Sequence, residues 1–321
     1  MKLRWIGVLG AVGCLAYGQT GSVGGPSTGY VFDASAKMLR QVRGIPGAAL
    51  MGDAMDLGIS AAGAQVSPHG DAALAIAADG SAHLFRLSDG AATERALSDL
   101  MSAAASVAFS PSGTAAALIR PGSVQILKGL PDSPEVAGTL SLPSAAGSAV
   151  TATAMARPLG AGTIAVSDDG AYVLFGHDGV VDLLPVAGGS RKLADARRAG
   201  AMVAFAAGGH DAAVVSGGTL SLYQDVAGAS TRQDLPSADA SVALAFSADG
   251  KHVLISGRST ITVLDRASGD QKVVECDCRI TGLTPMGNVF RVNEAGSGPV
   301  WLLDGVNAEP KMVFIPARPT A

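Results

Sequence analysis

The sequence predicts an all-β chain folded as a single β-propeller, and three observations carry that expectation. The segment LAFSADGKHVLISG, Leu244 to Gly257, reads as two short strands joined by a tight turn. Close variants recur as VAFSPSGTAAALI, IAVSDDGAYVLFG and VAFAAGGHDAAVV. Aligned on the turn glycines Gly70, Gly113, Gly170, Gly209, Gly250 and Gly287, the units lie 43, 57, 39, 41 and 37 residues apart. Apart from one insertion this is the period of about 40 residues that belongs to a four-stranded propeller blade.

The N-terminus comes before the repeats and reads differently. Lys2 and Arg4 precede an apolar run from Trp5 to Tyr17, followed by small and polar residues. Those are the parts of a secretory signal peptide, residues 1–18, with the cut after Gly18 and Gln19 as the new terminus. The run is shorter than the roughly 20 apolar residues that span a bilayer, so no membrane span is expected after cleavage. A retained anchor is the alternative. Cys14 offers a lipid-attachment reading, but Ala11-Val12-Gly13 lacks the leucine such sites carry three positions upstream. Residues 19–26, with the glycines of GSVGG, read as a flexible linker; residues 27–317 form the propeller, and 318–321 a disordered tail.

Within each unit an apolar strand such as Val242 to Phe246 leads into Ser-x-x-Gly or Ser-x-Asp-Gly. Glycine supplies positive φ at no steric cost, and Asp169 and Asp249, beside Gly170 and Gly250, cap their turns through the side chain. A second strand (KHVLIS), a third (TITVLD) and an outer one (QKVVEC) complete the blade. Alternation over short runs fits strands throughout, and only ATERALSDLMSAA, Ala92 to Ala104, reads as a helical stretch. Six units are clear. A seventh is assembled from the N-terminal hairpin GYVFDASAKMLRQV and the C-terminal strand KMVFIP, so that the two chain ends close the ring in one shared blade. Seven blades are expected, with six or eight compatible with the count. The long gap holds Pro131 to Val150, rich in Pro, Gly and Ser, which reads as an outer strand plus a surface loop.

Composition narrows the function classes. Apolar residues make up 48% of the 321 and charged residues 16%, which supports a large core and argues against disorder. Aromatics are only 4%, so the core must be built from Val, Leu, Ile and Ala. The net charge of −4 comes with no basic stripe, so no nucleic-acid partner is expected.

Candidate chemistry is sparse. His69, His83, His177, His210 and His252 sit in or beside turns, with no H-x-x-x-H or H-E-x-x-H spacing, and read as surface turn residues. Cys276 and Cys278 are the only cysteines after signal cleavage. On a regular strand their Cα atoms would stand near 7 Å apart, at the limit for a disulfide. Three readings fit: a local disulfide, two free thiols, or soft-metal ligation. Neither GSVGG nor the GAGT at Gly160 stands in a strand-to-helix context, so no phosphate loop or dinucleotide fingerprint is assigned. No catalytic residue, metal or cofactor follows from the sequence.

The FSPSG, VSPHG, VSDDG and FSADG segments resemble the repeats of TolB-type, YVTN-type and WD40-like β-propellers of secreted bacterial proteins, over residues 27 to 317. The Trp-Asp and Gly-His signatures of true WD40 blades are missing. The repeats carry turn chemistry, so the resemblance implies a fold and no catalysis. The expected protein is a monomeric, exported, non-enzymatic scaffold in the periplasm or outside the cell, its partner a protein or other envelope macromolecule. One alternative is a hydrolase resembling the YVTN-like lactonases, for which Arg120, Arg157, Arg258 and Arg291 would gather at a channel mouth. The other is a structural subunit of an envelope complex, as the TolB resemblance implies.

Overall fold

In the strand Ala243–Phe246, side chains alternate between two faces, and both faces are apolar. Leu244 and Phe246 join a core with the preceding sheet, whereas Ala243 and Ala245 join one with the following sheet. A sheet buried on both faces needs a neighbour on each side, and twisted sheets stacked this way close into a ring.

The computed structural model describes residues 25–143, 163–196, 201–237 and 241–317; the expected signal peptide, most of the linker, the tail, Arg157 and all of the GAGT segment but Thr163 lie outside them. The described residues are all-β, without a helix. The first blade holds β1 (Ser27–Asp33), β2 (Met38–Arg43) and β3 (Leu50–Met55). The second holds β4 (Ala61–Val66), β5 (Ala72–Ala77), β6 (Ala82–Ser88) and β7 (Ala91–Arg95). The third is β8 (Ser106–Phe109), β9 (Ala115–Arg120), β10 (Ser123–Lys128) and β11 (Glu135–Ser141). The fourth is β12 (Ile164–Val166), β13 (Tyr172–His177), β14 (Val180–Pro185) and β15 (Arg191–Asp195). The fifth is β16 (Met202–Phe205), β17 (Ala212–Ser216), β18 (Thr219–Gln224) and β19 (Thr231–Pro236). The sixth is β20 (Ala243–Phe246), β21 (His252–Ser256), β22 (Thr260–Asp265) and β23 (Gln271–Glu275). The seventh is β24 (Thr284–Met286), β25 (Val289–Arg291), β26 (Val300–Asp304) and β27 (Lys311–Ile315). Each blade is an antiparallel meander of consecutive strands.

The seven-bladed ring agrees with the sequence expectation; its closure does not. The C-terminal strand β27 pairs with β26 as the outer strand of the seventh blade, and the N-terminal strands form a separate three-stranded blade. Among the described residues no blade is shared by the two ends. The first blade is also incomplete among the described residues. The Gly29–Tyr30 end of β1 lies beside the second blade's turn at Gly70, and the Asp33 end bridges to Ala295 at the opposite rim. Strand β1 therefore runs in the sense of a second strand, and among the described residues the first blade has no innermost one. Packing closes the ring instead. Tyr30, Phe32 and Leu39 face Ala73 and Phe85 of the second blade, and Val31 and Val42 face Val289 and Leu302 of the seventh. Apolar matter from both chain ends thus does what the expected strand pairing would have done.

The repeated turn is set by its serine. In blades two, three, four and six, Ser67, Ser110, Ser167 and Ser247 are buried, and each Oγ accepts the backbone N–H five residues on: Ala72, Ala115, Tyr172 and His252. Asp169 and Asp249 accept the hydroxyl protons of Ser167 and Ser247 and the backbone N–H groups of Ala171 and Lys251. Glycine at the fourth turn position is required where blades crowd: a Cβ on Gly113, at φ +77°, would stand 3.0 Å from Pro68 of the neighbouring turn. In the fifth blade Ala206 replaces the serine, and positive φ falls on Gly208, not on the expected Gly209. Without the hydroxyl anchor the turn shifts its left-handed residue by one. The expected helix at 92–104 is strand β7 followed by a loop, because Leu84, Arg86 and Ser88 offer β7 an open sheet edge, which outweighs a weak helical propensity.

Replacing Ser247 by alanine removes the acceptor of the half-buried His252 amide, and urea unfolding is expected to show a loss of about 1 kcal/mol with an unchanged m-value.

Candidate functional site

Each described inner strand ends on an apolar residue at one rim of the ring, and in blades two, three, four and six it then turns through the serine motif. The residue after the turn serine, or its equivalent, points across the axis in blades two to six: Pro68, Pro111, Asp168, Ala207 and Ala248. These five ring the mouth of a central cavity of about 700 Å³. Below them the wall is apolar, formed by Val107, Phe109, Val166, Phe205, Phe246 and Phe290 among others. All of the wall comes from blades two to seven. No described residue of the first blade lines it, and Gly287 N–H donates to the Pro68 carbonyl at 2.7 Å, joining the seventh and second blades directly.

The mouth is stitched by Asp168. Its Oδ1 accepts the Ser112 amide and its Oδ2 the Gly208 amide, both at 2.8 Å, and its carbonyl accepts the Thr114 hydroxyl. One side chain thereby holds the third, fourth and fifth blades in register. Sequence reasoning picked the neighbouring Asp169 and passed over Asp168. The available signal was that Asp168 alone is charged at a position otherwise held by Pro or Ala.

The other candidates do not converge. His69, His210 and His252 lie on the turn rim, His83 and His177 on the opposite one. His210 Nε2 meets Asp169 Oδ2 at 2.9 Å and its ring stands edge-on to Tyr172. His177 pairs with Asp182, His83 with Glu94, and His252 lies 3.6 Å from Asp265. Only His69 reaches the cavity, at its lip. Arg120 donates to Ser123, Arg291 is buried against Glu294, and Arg258 is an exposed turn residue; none of the three lines the cavity. Among the described residues no group of three or more His, Cys, Asp or Glu side chains is placed to hold a metal ion. Cys276 and Cys278 are joined in a disulfide with Cα atoms 5.0 Å apart, in the connection leaving β23.

Outside the mouth, ion pairs continue from blade to blade. Arg266 of the sixth blade donates to Asp211 Oδ2 of the fifth at 2.6 Å and to the Gly250 carbonyl, with its guanidinium over Phe246. Burial alone would raise the Asp211 carboxyl, but Arg266 and the Asp225 amide outweigh it and hold the group below its ordinary 3.8. Asp169 is similar: burial raises it, and Ser167, the Ala171 amide and His210 bring it below that value. A polar groove of about 610 Å³ lies between these blades, lined by Arg232, Lys251 and Arg266, each already paired with an aspartate.

The fold and site define a seven-bladed β-propeller with one apolar, axial cavity opening through a collar of turns. No protein-family model matches the chain, and no curated protein sequence does. Among solved structures it is similar to a functionally unknown protein from Desulfotomaculum acetoxidans DSM 771, at a TM-score of 0.57 and 12% identity, over 90% of this chain and 100% of that one. At that identity the likeness is one of fold alone.

Two outcomes follow. A depressed carboxylate stabilises the fold above its unfolded value and stops doing so as pH falls through its folded one. Chemical unfolding between pH 5 and 2 is therefore expected to show a steep loss of stability, and Asp211→Asn to be less stable at pH 7 but less sensitive to acid. Alkylation of the unfolded chain from Gln19 onward should label no cysteine before reduction and two after it. Replacing both cysteines by serine should cost at most about 2 kcal/mol, since the closed loop is very short.

Proposed function

We propose that this chain is an exported, non-enzymatic β-propeller that works as a monomeric binding scaffold for a protein or ligand in the periplasm or outside the cell. The basic and then apolar N-terminus supports export, and the Ser-x-x-Gly repeats resemble those of secreted TolB-type and YVTN-type propellers. Rigid blades carrying variable turns suit recognition, because the scaffold fixes where the turn residues stand.

The observation that carries the non-enzymatic reading is the cavity wall. Among the described residues it offers two ionisable groups, His69 and Asp168, and Asp168 already accepts two backbone amides. General acid–base or nucleophilic chemistry needs a base, its orienting partner and a polarising group around one reacting atom. Of the cationic side chains that a lactonase-like reading would bring to a channel mouth, the described Arg120, Arg258 and Arg291 do not line the cavity.

The test is made in the native host. A tagged chain should fractionate outside the cytoplasm with Gln19 as its first residue, and cross-linking with mass spectrometry should recover one dominant partner. Recovery in the cytoplasm with Met1 intact would overturn export. Turnover of lactone or ester substrates by the purified chain, abolished by His69→Ala, would overturn the non-enzymatic reading.

A further inference from the structure

We infer that the axial cavity binds an uncharged, mostly apolar small molecule that carries hydrogen-bonding groups along its length. This rests on the scaffold reading above and names its ligand class.

The first argument is charge. His69 is exposed on the outer lip, and both Asp168 carboxylate oxygens are already engaged by the Ser112 and Gly208 amides. An anion entering the cavity would lose its hydration and meet no described lysine or arginine, and a cation would find only Asp168, at the mouth and with both oxygens turned to backbone amides, so either pays a large penalty. A neutral one loses far less and gains contact with phenylalanine and valine side chains.

The second argument is the backbone. An inner strand is paired on one side only, so its other edge faces the axis. In the sixth blade the Ser247 N–H to His252 carbonyl bond sets the ladder, and Ala245 opposite Leu254 is the next bonded pair. Alternation then turns the N–H and C=O groups of Leu244 and Phe246 toward the cavity. The same register turns Val107 and Phe109 inward in the third blade, and Val203 and Phe205 in the fifth. Every one of these residues is on the cavity wall. Parallel-running strand edges thus present donors and acceptors between apolar side chains. A pure hydrocarbon would leave those groups unsatisfied; a neutral molecule with carbonyl, amide or hydroxyl groups would pair with them.

The third argument is size and access. About 700 Å³ lies within the range of sites that enclose a small molecule, and the collar leaves an opening framed by Ala207 and Ala248. Proline or aspartate holds the equivalent position in the second, third and fourth blades, so the turn accepts diverse side chains there.

The experiment titrates the chain from Gln19 onward with the neutral fluorophore N-phenyl-1-naphthylamine. Saturable binding at one site per chain is expected. The double variant Ala207→Trp, Ala248→Trp should weaken it at least tenfold with an unchanged melting temperature, and Ala36→Trp at the opposite rim should leave it unaltered. The anionic analogue 8-anilinonaphthalene-1-sulfonate should bind at least tenfold more weakly than the neutral probe. Equal binding to the blocked variant, equal affinity for the anion, or no saturable binding by the folded chain would each overturn the proposal. Tighter displacement of the probe by an uncharged extended peptide than by any small molecule would also overturn it. The cross-linked partner would still be recovered in all of those cases, so failure of the cavity site is distinguishable from failure of the scaffold reading.

Discussion

Packing of each blade against both of its neighbours is the constraint on which the structure depends. Seven apolar clusters, one per interface, run around the ring without a break. Because the blades converge on the axis, the space between neighbouring sheets narrows towards it, and several second strands, one step out from the innermost, use small side chains. Ala72, Ala73 and Ala75 of β5, Ala115, Ala116 and Ala117 of β9, and Ala213 of β17 are all fully buried. Larger residues such as Phe85 and Leu127 fill the wider space on the third strands. An alanine-rich chain with few aromatics is therefore what a wedge-shaped repeat requires. The same geometry makes the ring insensitive to how its ends meet, since the first blade is held by its two faces and not by strand exchange.

The constraint also shapes the site. Inner-strand side chains are used in the interfaces, so the axis is lined by their flanks, by strand edges and by turn residues. Charge enters only at the lip. There it is used to hold blades together: Asp168 spans three turns, and outside it Asp169–His210 and Asp211–Arg266 join the fourth blade to the fifth and the fifth to the sixth. The depressed carboxyls of Asp169 and Asp211 are accounted for by these ties. A cavity built this way suits the neutral ligand proposed above.

Much of the architecture was legible because turn chemistry is local. A serine whose hydroxyl caps an amide five residues on, followed by a glycine with positive φ, leaves a recurring signature, and its spacing counts the blades. Legibility ended where local chemistry was absent. At Ala206 the missing hydroxyl moved the left-handed residue from Gly209 to Gly208. At Ala92–Ala104 the residues have mixed propensity, and the edge of β6 made the choice. The disulfide between Cys276 and Cys278 needed a chain bend that a C-x-C spacing neither demands nor forbids.

What the amino-acid sequence determined alone was the repeat: strand, capped turn, strand, and two apolar faces, all set by interactions within a few residues. Tertiary structure decided how the ring closes, which side chain reaches the mouth, and what faces the axis. Those depend on contacts between residues such as Pro68 and Gly287, or Ser112, Asp168 and Gly208, that lie in different blades. Such pairs carry no joint pattern along the chain, because only the radial packing of complete blades brings them within hydrogen-bonding distance.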